Sequence, residues 1–170
     1  MIQTYFGYGK GKTTSAIGSA IRCTGCGNKV LFVQFLKNND SSEINVLEKI
    51  DGIDTLHSEE CYKLFDNLNT ECKDRLSKAY TRLLFEDVRS MAQAYRMIVL
   101  DEILDATQFG YIDEDRLIEF LSELKNHTEF ILTGHQLSEK LSYVSDYISE
   151  ITNIRHPYEK GVSPRKGIEF

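Results

Sequence analysis

The hydrophobic and polar positions of this 170-residue chain alternate between short apolar runs and longer segments with helical spacing. A short run in which nearly every residue is apolar is typical of a strand in a parallel sheet that is covered on both faces. Runs of this kind predict strands at residues 2–6, 29–35, 53–56, 97–102, 129–133 and 147–154. Apolar residues at helical spacing predict helices at residues 13–22, 43–50, 73–96, 113–125 and 138–145. The alternation predicts a doubly wound α/β domain with a mostly parallel sheet.

The longest predicted helix covers residues 73–96 and lies in a stretch from Ile53 to Phe109 without glycine or proline. Its apolar residues recur at helical spacing, so we expect one continuous amphipathic helix. Asp113 is the expected N-cap of the next helix, because its carboxylate can accept a hydrogen bond from the first turn. Residues 37–42 are polar and are expected to form a loop.

Composition is typical of a globular protein, with 41% hydrophobic and 27% charged residues. The length suits one domain over residues 1–170. The net charge is −6 and the basic residues form no dense stripe, which argues against non-specific binding to nucleic acid. No apolar run approaches the length needed to cross a membrane. The chain begins directly on the first predicted strand, so we expect no signal peptide and a cytoplasmic protein.

A glycine-rich segment follows the first predicted strand and reads Gly7-Tyr8-Gly9-Lys10-Gly11-Lys12-Thr13-Thr14. A strand, a glycine-rich turn, Lys-Thr and a helix form the P-loop arrangement that binds nucleoside triphosphates. Glycines let backbone N–H groups surround an anion, and the helix start adds further donors. Lys12 is expected to contact phosphate oxygens, and the Thr13 hydroxyl is expected to ligate magnesium. A glycine-rich turn without a ligand is the alternative.

This P-loop departs from the common spacing of Gly, four residues and Gly-Lys-Thr. Counting back from Gly11 places Phe6 where the first glycine is expected, and Lys10 is an additional cation within the loop.

Two carboxylates, Asp101 and Glu102, end an apolar strand in the manner of a Walker B motif. Such a carboxylate faces the P-loop and holds magnesium directly or through water. A solvated strand end is the alternative, and the P-loop favours the metal role. The sequence leaves open whether Glu102 positions water or serves only the metal.

Other polar residues follow predicted strands and are expected at the same edge of the sheet. His135 follows Thr133-Gly134 and is a candidate contact for phosphate or substrate, or an ordinary loop histidine. Gln34 and Lys37 are weaker candidates. The tail from His156 onward concentrates basic residues among turn formers, so it is either a solvated tail or a segment that closes over a ligand.

Cys23 and Cys26 form a CxxC pair, which is interpreted as ordinary thiols at a helix end, with redox or metal chemistry as the alternative.

Three blocks of this sequence resemble the P-loop ATP:corrinoid adenosyltransferases, which make adenosylcobalamin. The first is the segment 7–14 continuing through Gly18 to Arg22, with the same late glycine and extra lysine. The second combines residues 33–37 with residues 98–102, and the third combines residues 149–150, 155–162 and 165–170. The resemblance implies a RecA-like fold, a homodimer and an unusual reaction. In that reaction a cobalt(I) corrinoid would attack the 5′ carbon of ATP, and tripolyphosphate would leave whole. Phe6 in place of the first glycine and the additional Lys10 would then suit a loop that holds the entire leaving group.

The resemblance also implies roles for individual residues. Thr13 and Glu102 would ligate Mg²⁺ (or Mn²⁺), with Asp101 nearby, and no general base is needed because cobalt(I) is itself a strong nucleophile. A flavoprotein is the implied reductant. The implied ATP-binding residues are Gly7, Tyr8, Gly9, Lys10, Gly11, Lys12, Thr13, Thr14 and Arg22.

The sequence departs from the family pattern on the corrinoid side. Where members carry a Gly-Phe-Thr-Trp stretch, this chain has residues 57–65 and no tryptophan. Tyr62 and Phe65 are candidates for the missing aromatic cover, or ordinary core residues. His135 stands where the family usually has arginine, and an N-terminal arm that several members have is not present in this sequence. Two other functions therefore stay open: a nucleoside-kinase-like phosphotransferase, and a non-catalytic protein that binds ATP or a corrinoid.

Overall fold

The computed structural model describes residues 1–37, 41–58 and 69–168, without the side chains of residues 159 and 160. Within these residues, six strands form one sheet in which every pairing is parallel. The strands are β1 (Ile2–Phe6), β2 (Val30–Gln34), β3 (Ile53–His57), β4 (Met97–Asp101), β5 (Glu129–Thr133) and β6 (Tyr147–Glu150). Their order across the sheet is β3-β2-β4-β5-β1-β6. The predicted α/β class with a parallel sheet is confirmed.

Three of the described helices begin and end within two residues of the predicted positions, and three are capped by side chains. They are α1 (Lys12–Thr24), α2 (Ile44–Leu47), α3 (Thr70–Arg82), α4 (Arg89–Met91), α5 (Ile103–Gln108), α6 (Glu114–Leu124) and α7 (Glu139–Val144). Asp113 caps α6 as predicted, because its carboxylate accepts a hydrogen bond from the amide of Arg116 at 2.9 Å. Among the described residues, no helix has the length and apolar character needed to span a membrane.

The sheet is covered on both faces, so its central strands are buried along their whole length. In β2, Val30 and Phe32 belong to one apolar cluster and Leu31 and Val33 to the other. This alternation follows from the two-residue period of a strand. On one face α1 packs through small residues such as Ala16, which let the helix lie close to the strands. The parallel arrangement on this rigid core fixes where the carboxyl ends of the strands lie.

The prediction of one regular helix over residues 73–96 is wrong in detail. Helical structure begins earlier, at Thr70, and a π-helical segment (Leu83–Val88) separates α3 from α4 before a 3₁₀ turn at Ala92–Ala94. The π segment buries Leu83, Leu84 and Phe85 in succession. Three consecutive buried residues exceed the stripe that a regular amphipathic helix buries, and the wider turn accommodates them.

Two further boundaries differ from the prediction. The pattern did not predict α5, because Ile103, Leu104, Asp105 and Ala106 are all buried and leave no polar face to reveal a helical period. The last strand ends at Glu150 instead of residue 154. Beyond it, the chain crosses the glycine-rich loop, where the amide of Ile151 donates to the carbonyl of Phe6 at 2.7 Å.

Candidate active site

The carboxyl ends of neighbouring strands bring three polar residues together at one edge of the sheet. In the strand register Gln34 pairs with Asp101, while Thr133 ends the next strand. The glycine-rich loop leaves this edge from the end of β1, which lies beside β5. Parallel strands place such residues at one edge, which is where ligands bind in open α/β sheets.

Close contact with the chain after β6 shapes the glycine-rich loop. The amide of Gly9 donates to the carbonyl of Ile151 at 2.7 Å. A Cβ atom at Gly7 or Gly9 would lie 2.4 or 2.5 Å from that carbonyl oxygen. Gly7 also has a φ of +111° and Gly11 a φ of +120°, a region that favours glycine. Gly11 precedes α1 and offers no side chain to its first amides, so these amides have no side-chain cap.

Lys12 is buried under the loop. Its ammonium donates to the carbonyls of Gly7 at 2.7 Å and Gly9 at 3.2 Å. Burial lowers the pKa of Lys12, and the charges of Glu102, Asp105 and Asp101 oppose this effect. The carboxylates beneath the loop therefore help to keep the ammonium charged in a partly desolvated position.

Asp101 is fully buried and accepts hydrogen bonds at both oxygens. Thr13 and Thr133 donate to Oδ1 at 2.9 and 2.7 Å, and Lys37 and Gln34 donate to Oδ2 at 2.8 and 3.3 Å. Burial alone would raise the pKa of Asp101, but the Lys37 charge and these donors hold it below its ordinary value. Because Thr13 gives its hydrogen to Asp101, its oxygen acts as an acceptor, and the Lys37 ammonium donates to it at 3.2 Å.

Glu102 adopts the left-handed conformation, with φ 62° and ψ 20°. This backbone is uncommon for residues other than glycine and here is fixed by a hydrogen bond from the Glu102 amide to Thr133 Oγ1 at 2.8 Å. Burial and the Asp101 charge raise the pKa of Glu102 to about 8. In its ionised form, Glu102 Oε2 is buried and has no hydrogen-bond partner among the described residues. An orphaned buried carboxylate oxygen, on a residue that lines one depression together with Thr13, fits a cation site.

Asp105 links Glu102 to His135. Its Oδ2 accepts from the His135 amide at 2.9 Å, and its Oδ1 lies 3.1 Å from His135 Nδ1. Burial alone would raise the pKa of Asp105, but hydrogen bonds from His135 and from protonated Glu102 hold it below its usual range. The His135 ring lies 5.4 Å from the ring of Tyr8, so this cluster reaches the outer side of the glycine-rich loop.

The loop borders a depression of about 580 Å³. Three lysines line it, Lys10, Lys12 and Lys37, together with Thr13 and Glu102. The volume is of the size that small-molecule sites occupy. From the tail, Gly167 and Ile168 reach the same depression, which favours the interpretation that the tail closes over a ligand.

Comparison with known proteins agrees with this geometry. The family model described as "ATP:corrinoid adenosyltransferase BtuR/CobO/CobP" matches residues 1–170. The chain belongs to this family. A corrinoid adenosyltransferase of Sinorhizobium sp is 33% identical over 96% of this chain and 77% of its own length. The corrinoid adenosyltransferase of Escherichia coli (strain K12) and the corrinoid adenosyltransferase CobA of Salmonella typhimurium are each 28% identical over 100% of this chain and 85% of their own lengths.

ATP and a corrinoid are the substrates of the ATP:corrinoid adenosyltransferase family. Of the ATP-binding residues that the sequence suggested, the structure gathers Gly9 to Thr14 around the depression. Gly7 is not among the lining residues, and its carbonyl accepts a hydrogen bond from the Lys12 ammonium at 2.7 Å. Tyr8 is exposed on its outer side, where its hydroxyl accepts a hydrogen bond from Gln136 at 2.6 Å.

The structure does not bring Arg22 to the phosphate loop within this chain. It lies near the far end of α1 and lines a separate depression with Cys23 and Cys26. At a rise of 1.5 Å per residue, Arg22 is about 14 Å along the helix from Thr13. Cys23 and Cys26 are free thiols, and burial raises the pKa of Cys23, so this thiol stays protonated. This environment favours the interpretation that Cys23 and Cys26 are ordinary thiols.

Of the three residues that the sequence suggested for contact with the corrinoid, the structure describes one. Tyr62 and Phe65 lie outside the described residues. His135 lies at the sheet edge and is held by Asp105. Sequence reasoning missed Asp105, and the only available signal was a charged residue within an otherwise apolar stretch. It also missed Ile151, whose contact is made by the backbone and leaves no signal in residue type.

Proposed function

We propose that this chain transfers the 5′-deoxyadenosyl group of ATP to a cobalt(I) corrinoid and releases tripolyphosphate. The observation that carries the proposal is one depression lined by three lysines and by Thr13, whose hydroxyl donates to Asp101 at 2.9 Å. Membership in the ATP:corrinoid adenosyltransferase family supplies the substrate class. A single domain over residues 1–170 is part of this proposal.

The phosphate chain of ATP is proposed to lie along the glycine-rich loop. Lys10 and Lys12, the Thr14 hydroxyl and the first amides of α1 border the depression and are suited to phosphate oxygens. This set of donors neutralises several negative charges at once. That is the requirement when tripolyphosphate is the leaving group, since its full charge develops as the carbon–oxygen bond breaks.

A divalent cation, Mg²⁺ (or Mn²⁺), is proposed to be held by the Thr13 hydroxyl and Glu102, with Asp101 as the residue that orients Thr13. The donor set fits, because Glu102 Oε2 is buried without a hydrogen-bond partner among the described residues. Such a cation supplies charge neutralisation at the triphosphate. The role of Asp101 is to hold the Thr13 hydroxyl in one orientation, through the hydrogen bond of 2.9 Å.

The corrinoid is proposed to approach from the side of Tyr8 and His135, the outer side of the loop. Cobalt(I) is itself the nucleophile, so the residues of this chain need to orient the ribose carbon and exclude water. Tyr62 and Phe65 remain proposed cover for the corrinoid. A flavoprotein reductant, a homodimer and a cytoplasmic location are parts of the same proposal.

The test is anaerobic incubation with ATP, magnesium and reduced cobalamin, followed by the corrinoid spectrum and by analysis of the phosphate product. We expect adenosylcobalamin and tripolyphosphate in equal amounts. ADP as the product would indicate a phosphotransferase, and bound ATP without any spectral change would indicate a non-catalytic binding protein. Either result contradicts the proposal.

Thr13→Val provides a sharper version of this experiment. It keeps the side-chain shape but removes the hydroxyl that contacts Asp101, so we expect the apparent affinity for magnesium to fall roughly 10- to 100-fold. Thr107→Val is the matched control, because the Thr107 hydroxyl donates only to the Ile103 carbonyl of its own helix at 2.7 Å. Equal magnesium dependence in the two variants would contradict the metal role of Thr13.

A further inference from the structure

Lys37 is held over the site by an uncommon backbone turn after β2. The preceding residue, Leu36, has a φ of 53°, in the left-handed region that residues other than glycine rarely adopt. Its amide donates to the Tyr80 hydroxyl at 2.7 Å, and Tyr80 is itself fully buried. The core thus fixes the direction in which the chain presents Lys37.

The ammonium of Lys37 contacts one oxygen of each residue at the proposed cation site, and one of these is the Thr13 hydroxyl oxygen itself. It lies 2.8 Å from Asp101 Oδ2, 3.2 Å from Thr13 Oγ1 and 3.9 Å from Glu102 Oε1. Glu43 Oε1 also lies 3.9 Å from the Lys37 ammonium. Thr13 gives its own hydrogen to Asp101, so Lys37 uses a lone pair of the hydroxyl that a metal ligand would need.

We propose that Lys37 is a displaceable internal cation, which competes with the divalent ion for the position between Thr13 and Glu102 beside Asp101 and shifts onto the triphosphate when metal and ATP bind together. This inference rests on the proposed function, because it assigns a role to Lys37 in binding the same metal–ATP substrate. In this role Lys37 couples metal binding to nucleotide binding.

The surroundings of Lys37 allow this movement. Its side chain is 25% exposed and lines the depression together with Lys10, Lys12 and Thr14. A lysine ammonium is a point charge on a flexible stem, so it can move from one set of oxygens to another without backbone movement. After it leaves, Asp101 keeps three donors, from Thr13, Thr133 and Gln34. The incoming divalent charge replaces the lost ammonium charge.

The experiment compares wild-type protein with Lys37→Met and with a charge-matched control, Lys140→Met. Lys140 is a surface lysine that pairs with Asp115 at 2.6 Å, outside the site. The first measurement is Mn²⁺ binding to nucleotide-free protein by electron paramagnetic resonance. We expect Lys37→Met to bind Mn²⁺ at least about tenfold more tightly than wild type, because the competing cation is gone, and Lys140→Met to match wild type.

The second measurement is calorimetric binding of tripolyphosphate at saturating Mg²⁺. We expect Lys37→Met to bind it roughly tenfold more weakly, because one ammonium no longer reaches the phosphate oxygens. Unchanged or weaker Mn²⁺ binding in folded Lys37→Met overturns the competition, and unchanged tripolyphosphate binding overturns the shift onto phosphate. If loss of the ammonium beside buried Asp101 prevents folding, Lys37→Gln keeps a donor without the charge and is measured in the same way.

These binding measurements need no corrinoid and no turnover. They therefore separate the two proposals: the expected changes in a protein that makes no adenosylcorrinoid would support the role of Lys37 and contradict the proposed reaction. If the wild-type protein is an active enzyme and Lys37→Met changes neither the Mn²⁺ nor the tripolyphosphate affinity, the proposed reaction is supported and the role of Lys37 is contradicted.

Discussion

Replacing Glu102 by glutamine tests the electrostatics of the site independently of catalysis. Burial and the Asp101 charge raise the pKa of Glu102 from 4.5 to about 8. In the unfolded chain the same carboxyl ionises at its ordinary value, so between these two values the folded protein binds a proton that the unfolded chain releases. The effect of Glu102 on the free energy of unfolding is therefore negligible below the unfolded pKa. It becomes unfavourable as the pH rises and levels off above the folded pKa.

The expected magnitude follows from the interval between the two pKa values. Each pKa unit corresponds to about 1.4 kcal/mol. A rise from 4.5 to about 8 therefore destabilises the folded protein by about 3 kcal/mol at pH 7 and by roughly 5 kcal/mol above pH 9. Glutamine has a similar shape and does not ionise. We expect the free energy of unfolding of Glu102→Gln to exceed that of wild type by an amount that grows with pH between pH 5 and 8, by up to about 1.4 kcal/mol per pH unit.

The assay is urea unfolding followed by circular dichroism, from pH 5 to pH 9, in EDTA and without nucleotide. Glu119→Gln is the control, because it makes the same chemical change at an exposed position of α6. Only the trend with pH is compared, since a constant offset can arise from the amide itself. A difference between Glu102→Gln and wild type that stays flat across this range would refute the reasoning. A trend of equal size in Glu119→Gln would assign the effect to carboxylates in general.

Three further substitutions test the packing of the glycine-rich loop, of α1 and of the core. Gly9→Ala places a Cβ 2.5 Å from the Ile151 carbonyl oxygen, and we expect urea unfolding to show a loss of about 1–3 kcal/mol. Gly18→Ala in α1 meets no atom within 4 Å and should stabilise by up to about 1 kcal/mol, so destabilisation by both would contradict the steric argument. Phe120→Ala removes a fully buried ring that packs against Phe130 at 5.8 Å. We expect a loss of about 3–5 kcal/mol in the same assay, and a loss below about 1 kcal/mol would contradict the assigned core.

Most of the sheet could be predicted from the sequence because its strands are buried on both faces. The strands Ile2–Phe6 and Glu129–Thr133 begin and end where the apolar runs do. Helices with one buried face were also predictable, as α6 and its Asp113 cap show. Prediction was wrong where burial does not follow a single stripe, in the π-helical segment Leu83–Val88 and in α5. In both, tertiary packing determines the local structure.

The candidate site was predictable in part, for a similar reason. The contact between Thr13 and Asp101 follows from motifs at the ends of two strands, and the structure has it at 2.9 Å. The position of Lys37 depends on the left-handed turn at Leu36, and a leucine gives no signal for such a turn. The hydrogen bonds between Asp105 and His135 join residues 30 positions apart, across two elements. Sequence spacing alone does not indicate that pair.

The late glycine of the phosphate loop has a structural cause outside the loop itself. Ile151, on the chain that leaves β6, donates to the carbonyl of Phe6 and accepts from the amide of Gly9, both at 2.7 Å. This backbone fills the space where side chains at Gly7 and Gly9 would lie. Gly11 differs, because a Cβ atom there would meet no atom within 4 Å, and its φ of +120° alone favours glycine. Two of the three loop glycines thus accommodate a distant part of the chain. A loop shaped for tripolyphosphate and a loop shaped by Ile151 are therefore compatible explanations, and Gly9→Ala tests the second without any ligand.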